Sequence, residues 1–173
     1  MKKFLAIILV GLMVLSLGAC GGKGDGGSDG PSITLTQVLD EDDTVSATAT
    51  VGYGELKHDG SSLTEEDEAL LIHEEKGYEL ELYLYFDDDY EGFKEDAKNE
   101  GNGYKDVKYS GYEGYMYEYG PEEYEVCLLL NQVDEENGVY LFVYVQKETY
   151  EGEMEELFNE KGVQDVLNSI KIN

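Results

Sequence analysis

From residue 45 onward the apolar positions of this chain recur with a period of two. Val45, Ala47, Ala49, Val51 and Tyr53 alternate with Ser46, Thr48, Thr50 and Gly52, which puts the first set on one face of a strand. Tyr78, Leu80, Leu82, Leu84 and Phe86 share one face of another strand, and Glu79, Glu81, Tyr83 and Tyr85 occupy its reverse. One dry face and one wet face is the pattern of an antiparallel sheet. Upstream, residues 69–73 followed by Glu74-Glu75-Lys76-Gly77 read as the first arm of a hairpin into that strand, although Thr64-Glu65-Glu66-Asp67 also has the order of a helix cap. Residues 112–119, 124–132 and 139–147 form three more strand-like runs, divided by Gly120-Pro121-Glu122-Glu123 and by Asp134-Glu135-Glu136-Asn137-Gly138. The Asn-Gly pair supplies the positive backbone angles of a tight turn, so these three runs predict an antiparallel meander. Residues 126–130 and 139–145 are apolar on both faces, as central strands covered on both sides are.

The period lengthens to that of a helix in two places. Asp87-Asp88-Asp89 precede Tyr90, Phe93 and Ala97, with Gly101 as a stop, so the aspartates cap a short helix and complement its positive end. Near the end, Tyr150, Met154, Leu157 and Phe158 make one stripe, and after Gly162 the residues Val163, Val166, Leu167 and Ile170 make another. Strands, helix, three strands and helix predict an α+β domain, a mainly antiparallel β-sheet covered by two helical segments. Gly77-Tyr78 through Phe86, the helix at 90–98, Ser110-Gly111-Tyr112-Glu113-Gly114-Tyr115 and Leu167-Asn168-Ser169-Ile170-Lys171-Ile172 carry a resemblance, over residues 77–172, to the Mog1/PsbP-like α/β/α sandwiches of small Gram-positive lipoproteins. That resemblance implies a fold used for binding and assembly, and it carries over no catalytic residues. The chain departs from the group in having no tryptophan.

The first thirty positions follow a different logic. Lys2 and Lys3 precede an uninterrupted apolar run at residues 4–15, followed by Ser16, Gly18 and Ala19, the order of a secretory signal peptide. The run falls short of the roughly 20 residues that a permanent transmembrane helix needs. Leu17-Gly18-Ala19-Cys20 resembles the lipobox of bacterial lipoproteins, which implies cleavage before Cys20 and a covalent lipid (diacylglyceryl, commonly with a palmitate) on that cysteine. Two or more chains anchor stably where one does not. Residues 21–31 hold six glycines and no large apolar side chain, as a flexible linker does. The expected organisation is therefore signal peptide at 1–19, lipidated cysteine and Gly/Asp-rich linker at 20–31, and one α+β domain at 32–173. Its expected location is the extracytoplasmic face of the cell membrane.

Charge narrows the partners. The chain has 39 acidic residues against 12 basic, and loss of Lys2 and Lys3 with the leader leaves 10 basic residues and a formal charge of −29. Such a surface repels nucleic acid and draws cations and basic peptides. All the basic residues are lysine, so no guanidinium is available to clamp a phosphate or carboxylate. With Cys20 lipidated, Cys127 is left without an intrachain partner, and its setting among Val126, Leu128 and Leu129 is that of a small buried hydrophobe.

Catalytic constellations are not apparent. His58 and His73 are the only histidines, and neither has triad or zinc-ligand spacing; both read as exposed loop or strand-end residues. Asp87, Asp89 and Glu91, with Gly92, match the start of an EF-hand loop, but Lys94 and Lys98 stand where its apolar eighth residue and closing acid belong. These three acids are the candidate calcium ligands of a non-EF-hand site. Asp40-Glu41-Asp42-Asp43 forms a comparable acidic cluster. Among the 15 tyrosines, Tyr115, Tyr117 and Tyr119 share a strand face while Tyr140 and Tyr144 flank Phe142 on another. Such a ladder beside acids suits a basic peptide, a cation or a sugar. The leading expectation is a non-enzymatic binding or assembly lipoprotein of the cell envelope with a basic envelope protein or peptide as partner, no nucleic acid and no cofactor beyond the lipid. A divalent-cation binder and an envelope hydrolase are the alternatives.

Overall fold

The strand with alternating leucines finds neighbours on both sides. In the computed structural model, which describes residues 30–39, 46–59, 66–87, 90–133 and 137–173, β5 (Tyr78–Asp87) pairs antiparallel with β4 (Glu68–His73) on one side and with β9 (Gly138–Lys147) on the other. The hairpin from β4 to β5 is the one expected from residues 69–77. Its turn closes with Gly77 at φ +71°, its N–H donating to the His73 carbonyl at 2.9 Å. The Gly77 carbonyl in turn accepts the amides of Glu148, Thr149 and Tyr150, and a Cβ there would collide with Thr149. Glycine is needed at that point for both conformation and space.

β3 (Lys57–Asp59) extends the sheet beyond β4, while β8 (Glu123–Gln132), β7 (Tyr112–Gly120) and β6 (Asn102–Tyr109) extend it beyond β9. The result is one antiparallel sheet of seven strands in the order β3-β4-β5-β9-β8-β7-β6. Residues 126–130 and 139–145, apolar on both faces, do fall on its central strands. A second sheet of three strands joins β1 (Ser32–Val38), β2 (Ser46–Gly52) and β10 (Lys171–Ile172), with β2 in the middle. The architecture is thus α+β and mostly β, as the alternation predicts.

Four strands escaped the pattern. β1, β3, β6 and β10 are edge or terminal pieces: in β6 only Tyr104, Val107 and Tyr109 are even partly buried, and β10 has two residues. The expected meander of three strands is therefore four, β6 to β9.

The two faces of the large sheet are covered differently. Leu80, Leu82 and Leu84 of β5, Val139, Leu141, Val143 and Val145 of β9, and Val126 and Leu128 of β8 are all buried in one cluster with Leu35, Ala49 and Val51 of the small sheet. The same cluster takes in Met154, Leu157 and Phe158 of α2 (Met154–Phe158) and Val163, Val166 and Leu167 of α3 (Lys161–Leu167). The second expected helical segment is thus two short helices. On the reverse face α1 (Tyr90–Glu100) packs Tyr90, Phe93 and Ala97 against Tyr115, Tyr117, Cys127 and Tyr140. Lys94 ties this helix to β6, 3.3 Å from an Asp106 oxygen that also accepts the Tyr104 hydroxyl at 2.9 Å.

The leader, Cys20, the linker up to residue 29, the acidic run 40–43, Asp88 and Asp89 lie outside the described residues. Of the histidines, His58 is exposed on β3. His73, expected at the surface, is instead largely covered: its side chain is 12% exposed, with Nε2 3.6 Å from Glu55 Oε1 and its ring 5.0 Å from that of Tyr78. The strand end turns its imidazole inward onto the Tyr78 ring.

Candidate functional site

Register aligns the reverse face of the large sheet into rows that cross β5, β9, β8 and β7. One row reads Tyr83, Phe142, Cys127, Tyr115, and the next reads Glu81, Tyr144, Glu125, Tyr117. α1 lies over the first row and the one before it. Tyr90 stacks on Tyr140 with centroids 5.3 Å apart and planes at 2°, and Phe93 meets Phe142 edge-on at 5.8 Å. Beside the helix the face opens. There a concavity of about 600 Å³ is floored and walled by Tyr83, Tyr117, Tyr119, Tyr144 and Phe142. Phe93 and Asp96 of α1 bound it on the helix side, and Glu81, Glu123 and Glu125 contribute carboxyl groups from the sheet.

The tyrosines hold one another in place. Tyr144 meets Tyr83 edge-on at 5.8 Å and Tyr119 at 6.1 Å, and Tyr117 meets Tyr119 at 6.2 Å. Edge-to-face pairs of this kind stabilise beyond the area they bury. Tyr119, at 62% exposed, is the most open of them.

Glu125 sits at the centre of this arrangement and is only 5% exposed, the sole charged side chain so buried among the described residues. Three phenols converge on it: Tyr117 donates to Oε2 at 3.0 Å, Tyr115 donates to Oε1 at 3.4 Å, and the Tyr144 hydroxyl also donates. Burial pushes its carboxyl above the usual carboxylate range, with the charge of Glu123 adding to the shift, even though the three donors oppose it. The same burial and the nearby carboxylate push the phenols of Tyr115, Tyr117 and Tyr144 upward. Tyr83, which donates to Glu81 Oε2 at 2.9 Å, is pushed up to about 12.

A carboxyl raised by folding has a definite signature. Between its unfolded and folded values the native protein retains a proton that the unfolded chain has released, so this group makes stability fall as pH rises through that window. Glu125→Gln removes the titration while keeping an acceptor for the phenols. The variant is expected to melt close to wild type at the acid end and to gain on it progressively as the pH is raised above the usual carboxylate range. Thermal denaturation of both proteins across that rise in pH checks this, and a difference independent of pH would show that Glu125 is not buried as a charge.

Of the five tyrosines expected to form a binding face, Tyr115, Tyr117, Tyr119 and Tyr144 line the concavity together. Tyr140 does not: it is 1% exposed, covered by Tyr90 of α1. The helix predicted from Tyr90, Phe93 and Ala97 lands on this side of the sheet and splits the tyrosine surface into a sealed half and an open half. Glu125 was missed because it lies between Tyr124 and Val126 in a run that reads as apolar. Its signal was positional, since it alternates with Cys127 and Leu129 onto the tyrosine face.

The lining of the concavity is aromatic and acidic. Neither histidine lines it, nor does any lysine, serine or cysteine. Cys127 is 0% exposed and burial pushes its thiol well up, which keeps it protonated. Of the candidate calcium ligands, Asp87 ends β5 and accepts the Tyr85 hydroxyl, Glu91 is exposed in the first turn of α1, and Asp89 is not described. Among the described residues no three His, Cys, Asp or Glu side chains come together as a metal would require. No protein-family model, no curated protein and no solved structure matches the chain.

Proposed function

We propose that this chain is a lipid-anchored, non-enzymatic binding lipoprotein of the cell envelope, and that its ligand face is the open half of the tyrosine surface. One observation carries the reading: the row Glu81, Tyr144, Glu125 and Tyr117 lines the concavity, its half-buried Glu81 and Tyr144 beside a buried Glu125 that holds three phenols. A desolvated charge of this kind does not help stability, so its place on a binding surface accounts for it better than its place in a core does. The apolar leader, the Leu17-Gly18-Ala19-Cys20 motif and the glycine-rich linker support attachment by lipid on Cys20 at the extracytoplasmic side of the membrane. A formal charge of −27 over the whole chain favours a cationic or neutral ligand over nucleic acid.

One experiment reads both halves. Intact cells are treated with a tyrosine-nitrating reagent, the native protein is recovered, and its peptides are compared by mass spectrometry with those of purified protein treated alike. The expected result is a chain that begins at Cys20 carrying a diacylglyceryl thioether, with Tyr119 modified more slowly in cells than in isolation. A leader still attached or an unmodified Cys20 sulfur overturns the anchor, and equal nitration of Tyr119 in both samples overturns the occupied binding face.

A further inference from the structure

The hydrogen-bond polarity of the concavity says what class of ligand it takes. Five of its six lining tyrosines commit their hydroxyl protons to carboxylates: Tyr83 to Glu81, Tyr115, Tyr117 and Tyr144 to Glu125, and Tyr85 to Asp87. What these oxygens offer a guest is lone pairs. The carboxylates of Glu81, Glu123, Glu125 and Asp96 are acceptors as well, and no basic side chain lines the space. A ligand here must therefore supply donors and positive charge. Phosphates and carboxylates are repelled, and a neutral sugar brings no counter-charge to Glu81, Glu123 and Asp96.

Shape separates the remaining cations. A bare divalent ion needs several oxygens closed around it, and none of the described acids are so gathered. Aromatic walls instead favour an organic cation whose methylenes lie on ring faces and whose charge is attracted to their π-density. Asp96 of α1 lines the space from the helix, and Glu81 and Glu123 line it from the sheet, with Phe142, Tyr83 and Tyr144 among them. Glu81 on β5 and Glu123 on β8 are separated by β9, roughly 10 Å at the backbone. A volume near 600 Å³ is that of a small-molecule site, with Phe93 and Asp96 of α1 bounding one side of it.

We propose that the concavity binds a linear aliphatic polyamine, its ammonium groups hydrogen-bonded to Asp96 of α1 and to Glu81 and Glu123 of the sheet, and its methylene stem laid across the tyrosine rings. The assignment rests on the reading of this surface as the ligand face. It names the ligand by chemistry: several N–H donors, two or more positive charges and an apolar stem.

The chain has no tryptophan and six of its 15 tyrosines line the concavity, so tyrosine emission carries a signal from this site. Purified protein is titrated with spermidine at fixed ionic strength, in parallel with its fully quaternised N-methyl analogue and with pentalysine, and heats of binding are recorded alongside emission. Spermidine is expected to saturate, the quaternised analogue to bind about tenfold or more weakly because it has lost every donor to a charged acceptor, and pentalysine to be the weaker competitor. Glu81→Gln and Tyr119→Ala each lower spermidine affinity about tenfold while their circular dichroism stays that of wild type. Tyr119 is exposed, so its replacement keeps the test independent of folding.

Absence of saturable spermidine binding, or equal binding of the quaternised analogue, overturns the assignment. Tighter binding of pentalysine gives the site to a basic peptide and overturns it as well. If spermidine fails while Tyr119 is shielded in cells, the ligand class falls and the binding face stands. If spermidine binds purified protein while Tyr119 is unshielded in cells, the site is real but empty there.

Discussion

Leu141→Ala is expected to lower the free energy of unfolding by about 4 kcal/mol, the upper part of the range for emptying a leucine site that cannot collapse. Leu141 lies on β9, the middle strand of the seven, opposite Leu84 on one side and Leu128 on the other, and all three are at most 1% exposed. Strands hydrogen-bonded on both sides cannot close in on the missing methyls, so the cavity persists. A domain of this size holds only about 5–15 kcal/mol in all. The repulsion among its acids already draws on that margin. Urea denaturation at neutral pH gives the number from the midpoint with an unchanged slope. A loss under about 1 kcal/mol would mean that β9 is not the centre of the core.

Gly114→Ala comes next, at about 3 kcal/mol. Gly114 of β7 is opposite Leu128 of β8, and a Cβ there would lie 2.0 Å from the Cys127 carbonyl oxygen and 2.9 Å from a Leu128 methyl. Its backbone angle is not positive, so the constraint is space alone. Backbone on the far side cannot step aside without parting β7 from β8. Tyr115 and Tyr117 follow directly on β7, so the same displacement pulls two phenols away from Glu125. Gly120→Ala is the control: it ends the same strand with nothing within 4 Å of an added Cβ. A Gly114→Ala protein that melts with the Gly120→Ala protein and keeps wild-type tyrosine absorbance would refute the close approach.

The parts of this fold that could be read from sequence are those where burial differs between the two faces of a strand. β5 buries every second residue from Tyr78 to Leu84, and β2 buries Ala47, Ala49 and Val51, so their period of two is plain. β6 has no such contrast: as an outer strand it exposes Asn102, Gly103, Lys105, Asp106 and Lys108, and a polar edge looks like a loop. The same reasoning explains the site. Tyr115, Tyr117 and Tyr119 alternate and were legible as a surface, but which part of it stays open depends on where α1 lands, a tertiary fact without local signal. Glu125 is the clearest case: the meander was legible, but the exact register that turns three hydroxyls onto this one carboxyl was not.

The outer strands themselves carry a consequence for life at high density. Unpaired amides along a sheet margin invite a second copy to anneal there. β3 offers only three residues, one of them the charged Lys57 engaged with Glu74, and β6 is irregular between Asn102 and Lys105 and bristles with Lys105, Asp106 and Lys108. β1 is met along its outer side by the Glu66 carbonyl, which accepts the Thr36 amide at 2.8 Å. Copies of this protein crowded side by side would find no long flat margin among the described residues to template strand-to-strand growth, so close packing need not end in aggregation.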